Sequence, residues 1–132
     1  MENIDLQWLG TGLEFEATRG DHTIRMDGNA ELATTPVGLL LEALAGCAAA
    51  DVVDILQKGR QDLKGLTVRA SAERNEKPPR YFKRVDMEFA VSGPVEPSKA
   101  ERAVQLSFDK YCSVYHSLRP DIELTWRIVY ET

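Results

Sequence analysis

Cys47 and Cys112 are the only two cysteines in this 132-residue sequence. Two thiols support a disulfide staple, metal ligation or reversible redox chemistry. They are too few for the disulfide framework of a small secreted domain, and no C-x-x-C spacing is present. Cys47-x3-Asp51 and Cys112-x3-His116 each place two ligand types one helical turn apart, a set that suits zinc in composition. That spacing is common by chance and aspartate is a less usual zinc ligand, so neither a metal nor another cofactor is expected. Taken alone, each cysteine reads equally as a buried structural residue.

The elements that must position these residues follow from the pattern along the chain. Ile4, Leu6 and Trp8 alternate with polar residues, as do Leu13, Phe15 and Ala17, which predicts a hairpin around Gly10-Thr11-Gly12. A third short strand runs from His22 to Asp27 and ends at Asp27-Gly28-Asn29. Thr34-Thr35-Pro36 starts a helix, with Thr35 as cap and Pro36 in the first turn. From Val37 to Ala50 only Glu42 is polar, which predicts a helix buried on most sides that continues to about Gly59. Strands follow at 63–76 and 81–92, separated by Lys77-Pro78-Pro79. Ser98-x-x-Glu101 has the spacing of a capping box and opens a second helix running to about Lys110. A short helix or turn over 111–118 and a strand over 121–130 close the pattern.

This order predicts one α+β domain over 1–132, rather than alternating βαβ units, with antiparallel sheets around a long buried helix. So few strands cannot wrap a nearly all-apolar helix, so a second copy of the chain is expected to complete its burial.

Composition narrows the function. Hydrophobic residues make up 43% and the formal charge is 16 − 21 = −5, the balance of a globular protein rather than a nucleic-acid binder. The stretch Arg74 to Arg84 is rich in arginine and aromatic residues, but Glu76 interrupts it and Glu73 and Asp86 flank it, so it reads as a solvated turn. The long helix carries Glu42, Asp51 and Asp54 and is too interrupted to span a bilayer. The acidic start, Met1 to Asp5, has no apolar stretch of the kind a secretion signal uses, so the expected compartment is the cytoplasm.

Two segments resemble one family. The run from Thr35 to Cys47 (TPVGLLLEALAGC) resembles the helix-opening motif of the OsmC/Ohr proteins, the osmotically inducible and organic-hydroperoxide-resistance family. The run from Lys110 to Val114 (KYCSV) resembles their second cysteine motif. The segment from Asp51 to Asp62 is similar to a branch described as redox proteins or regulators of disulfide bond formation. The resemblance implies an OsmC-like fold, an intertwined homodimer with each site shared between subunits, and thiol-dependent, peroxiredoxin-like reduction of organic hydroperoxides. It makes Cys47 the peroxidatic and Cys112 the resolving cysteine, with an external dithiol as reductant.

The sequence departs from the family pattern at Val37, where better-known members carry a glutamate that holds an activating arginine. Glu42 lies five residues before Cys47, about 140° around the helix, and does not replace it; a buried acid paired across the dimer is the expectation there. The family draws the arginine from the segment before the helix, where Arg19 and Arg25 are available and Arg25 shares a strand face with Thr23 and Asp27. Asp51 and Asp54, at i+4 and i+7, lie on the face of Cys47, and nearby anions disfavour a thiolate. These features leave an alternative: a non-catalytic OsmC-like protein holding a small hydrophobic ligand in the dimer cleft around Leu40, Leu44 and Tyr115.

Overall fold

The computed structural model describes residues 1–131. The chain divides into two compact units, 1–41 and 42 onward. In the first unit β1 (Asp5–Trp8), β2 (Glu14–Arg19) and β3 (His22–Asp27) form an antiparallel sheet in that order. Gly20 and Asp21 join β2 to β3, and a positive φ of 59° at Gly20 alone matches a type II′ hairpin turn, which needs glycine at that place. The register aligns Leu6 with Ala17 and Ile24, and Trp8 with Phe15 and Met26. Because strand side chains alternate, these six apolar residues share one face. Leu6, Trp8 and Ile24 on it are each more than half exposed.

Asp27, read from sequence only as part of a turn, organises the loop that leads to the long helix. Its buried carboxylate accepts the N–H groups of Asn29 at 2.8 Å, Glu31 at 3.2 Å and Leu32 at 3.1 Å. Those backbone donors, led by Asn29, hold its carboxyl below the ordinary carboxylate range. The expected cap forms: Thr35 Oγ1 accepts the Gly38 N–H at 3.0 Å, and α1 spans Pro36–Lys58.

The apolar helix is buried along one stripe. Leu44, Ala48, Val52 and Leu56 recur every four residues and are 0–1% exposed. Leu40, Ala43, Gly46 and Ala50 are exposed, so the burial on most sides predicted from composition is not reached within one chain. At the C-terminal end the Gln61 N–H bonds the Leu56 carbonyl and the Arg60 N–H bonds that of Gln57, both at about 3 Å. This is the Schellman arrangement. The left-handed position falls on Arg60, φ 60°, rather than on Gly59.

The second sheet departs from the all-antiparallel expectation. β4 (Gly65–Arg74) pairs antiparallel with β5 (Phe82–Ser92), but β6 (Glu123–Glu131) runs parallel to β5. A parallel neighbour requires a crossover connection, so one βαβ unit sits inside the α+β fold. Val85, Met87, Phe89 and Val91 alternate along β5 and are all buried. The basic stretch 74–84 bridges β4 and β5 and is tied locally, by Arg74 Nε to the Arg80 carbonyl at 2.8 Å and by a Lys83–Glu73 ion pair at 3.4 Å.

The crossover begins with α2 (Pro97–Leu106). The capping box does not form: Glu96 is the cap residue, it makes no side-chain cap bond, and Ser98 already lies inside the helix. Instead the Gln61 side chain accepts the Glu96 N–H at 2.9 Å. The α-helix also stops earlier than Lys110. Residues Ser107–Tyr111 form a π-helical turn, and α3 (Ser113–His116) follows.

A non-glycine residue in the left-handed region costs about 1 kcal/mol. Arg60→Gly therefore stabilises the protein by about that amount, read as a raised urea midpoint with an unchanged slope.

Candidate active site

Cys47 and Asp51 stand one turn apart on α1, each one residue before a member of its buried stripe, and both are half-buried. Asp54 lies further along and exposed, paired with Lys58 at 2.9 Å. Asp51 has no cationic partner among the described residues. Its carboxylate is held by the Ser107 hydroxyl, which donates to Oδ2 at 2.8 Å.

The π turn brings the second cysteine to the first. Its closing bond runs from the Cys112 N–H to the Ser107 carbonyl at 2.7 Å. An inserted residue of this kind shifts the register of everything after it, and such turns are frequent at functional sites. Phe108 anchors the turn with edge-on contacts to Phe89 of β5 at 6.3 Å and Tyr115 of α3 at 5.5 Å. Cys112 then caps α3: its sulfur accepts the Tyr115 N–H at 3.4 Å.

Both cysteines are free thiols. The sulfurs of Cys47 and Cys112 and a carboxylate oxygen of Asp51 all lie within 4.8 Å of one another. Cys112 is fully buried. Burial pushes its thiol up to about 11; the Tyr115 N–H offsets part of this, while Cys47 and the Asp51 charge add to it. The site thus pairs a half-buried sulfur with a sealed, protonated one, beside an uncompensated carboxylate.

Three of the four residues weighed as zinc ligands are therefore gathered. His116 is exposed and lies outside the group, its ring edge-on to Tyr115 at 5.3 Å. Two thiols and one carboxylate make an incomplete set for a closed tetrahedral site.

Arg25 lies on β3 in the first unit, exposed, opposite Glu16 and 3.6 Å from its carboxylate. Arg19, the other candidate, pairs with Glu2. Glu42 is exposed in the single chain rather than buried. Of the residues assigned to a ligand cleft, Leu44 is wholly buried, whereas Leu40 and Tyr115 present surface. Sequence reasoning missed Ser107. A serine at the end of a helix carries no signal of its own, and only the π turn directs it to Asp51.

The OsmC-like protein family model matches residues 27–127, which include both cysteines and the elements that carry them. The chain belongs to the OsmC-like family. It is 42% identical over 124 residues to protein YhfA of Escherichia coli K12, covering 91% of each chain. Its fold is similar to a hypothetical protein from Aquifex aeolicus, with a TM-score of 0.89 at 29% identity over 100% of this chain and 98% of that one. It is also similar to an OsmC organic hydroperoxide resistance protein from Legionella pneumophila, described as a predicted redox protein and regulator of sulfide bond formation. There the TM-score is 0.72 at 15% identity, over 97% of this chain and 96% of that one, a likeness of fold.

The contrast between the two thiols is directly measurable. Iodoacetamide at pH 8 should label Cys47 well before Cys112. The rate at Cys112 should keep climbing with pH until about 11, because its thiol stays protonated below that value. Peptide mapping over time checks both.

Proposed function

We propose that the protein reduces organic hydroperoxides with Cys47 as peroxidatic and Cys112 as resolving cysteine. The observation that carries this reading is the approach of two free thiols, one accessible and one buried, to within 4.8 Å. The Cys47 thiolate attacks the terminal oxygen of the hydroperoxide. The O–O bond breaks, the sulfur takes the hydroxyl, and the alkoxide leaves and is protonated to the alcohol. The Cys112 sulfur then displaces that hydroxyl as water and forms the disulfide, which an external dithiol reduces by exchange. Resolution in this way protects Cys47 from irreversible over-oxidation.

The thiolate needs a cation, since α1 places Asp51 beside it and offers no N-terminal dipole at mid-helix. We assign that role to Arg25 on the family pattern. A homodimer with a shared site suits the exposed apolar face of the first sheet and the uncovered side of α1. No helix among the described residues is long and apolar enough to cross a membrane, and reduced thiols of this kind suit the cytoplasm.

The second reading, a ligand-binding member without peroxide chemistry, draws on Val37 and on the carboxylate beside both sulfurs. Intact mass separates the two. After one equivalent of cumene hydroperoxide, the reduced protein should lose two hydrogens, mapped to a Cys47–Cys112 bond within one chain. Cys47→Ser should consume no peroxide. Cys112→Ser should turn over once and retain an oxidised Cys47, and Arg25→Ala should slow the first step. An unchanged wild-type mass would overturn the peroxidase reading in favour of ligand binding.

A further inference from the structure

We propose that Asp51 moves the proton in the disulfide-forming step: its carboxylate takes the proton from the Cys112 thiol as that sulfur attacks Cys47, and delivers it to the departing hydroxyl. This rests on the peroxidase reading and assigns a residue to its second half. The S–H bond of Cys112 and the S–O bond of the Cys47 sulfenic acid break. The S–S bond and one O–H bond of water form. The sulfenic sulfur is reduced, the Cys112 sulfur is oxidised, and no further reactant is required.

Three observations support this. The first is position: the carboxylate stands within 4.8 Å of both reacting sulfurs, which are themselves within that distance of each other. The second is need. Cys112 is sealed from solvent, so bulk water is poorly placed to take its proton. Burial leaves about one thiol in ten thousand ionised at pH 7. An unassisted attack is slow on both counts. The third is that Asp51 has no ion-pair partner. It pairs with no cation among the described residues, unlike Asp54, and its charge opposes the Cys112 thiolate. The Ser107 hydroxyl fixes Oδ2, while Oδ1 has no hydrogen-bond partner among the described residues and is free to accept a proton.

Other charged groups frame the site. Asp51 shares a cavity of about 390 Å³ with Asp54 and Lys58 of α1, Arg102 of α2 and Tyr111 of the π turn. Asp54 and Lys58 neutralise one another, and Arg102 is the other cation lining this cavity. The same π turn presents Ser107 to the carboxylate and Cys112 to Cys47. One short segment therefore aligns the proton acceptor with the proton donor.

The step can be read without any peroxide. Methyl methanethiosulfonate converts Cys47 to its methyl disulfide, and attack by Cys112 then expels methanethiol, a loss followed by intact mass. Asp51→Asn should slow this loss about tenfold or more. Its rate should then rise about tenfold per pH unit, as hydroxide replaces the missing base, while the wild type stays nearly flat from about pH 6 to 8. Asp51→Glu should restore much of the rate, and Ser107→Ala should show a smaller loss with the wild-type pH profile. With hydroperoxide, Asp51→Asn should accumulate a dimedone-reactive sulfenic acid at Cys47. Equal exchange rates and equal pH profiles for wild type and Asp51→Asn would overturn the assignment. A wild type that ignores hydroperoxide but loses methanethiol through Asp51 would instead overturn the peroxidase reading, leaving Asp51 as the base for Cys112.

Discussion

One backbone hydrogen bond, from the Cys112 N–H to the Ser107 carbonyl, governs the geometry of the site. It joins residues five apart in sequence where an α-helix would join residues four apart. Had α2 continued unbroken, Ser107 and Cys112 would project at different angles, and α3 would begin elsewhere. The turn is held from both sides by aromatic packing, with Phe108 wedged between Phe89 and Tyr115. The core of the second unit thus fixes the thiol pair through packing.

Most of the fold was legible because its signals are local. Alternation located every strand within two or three residues, and Thr35-Pro36 marked the start of α1 to the residue. Where the reading failed, a distant residue had intervened. The Gln61 side chain accepts the N–H of Glu96, the residue that caps α2, and the helix begins at Pro97 without the capping box at Ser98. β6 pairs with β5 in parallel because the connection between them is long enough to cross over, which alternation within each strand cannot reveal.

The candidate site divides in the same way. The two cysteines and Asp51 were visible as residue types at suggestive spacings. Their convergence depends on the π turn, which no composition or periodicity announces. Asp51 first read as an obstacle, an anion beside a thiol that needs to ionise. With a buried thiol as its second neighbour, the same charge becomes a place for a proton to go.

The parallel pairing of β5 and β6 also bears on how the molecule is made. Cys112 lies inside the crossover that joins these strands, so the loop carrying it is closed only when β6 docks. Contacts between residues far apart in sequence form slowly, because chain entropy is lost before the contact repays it. During synthesis β6 emerges after every other described element. Until it pairs, the segment that carries Cys112 is not yet closed into a crossover.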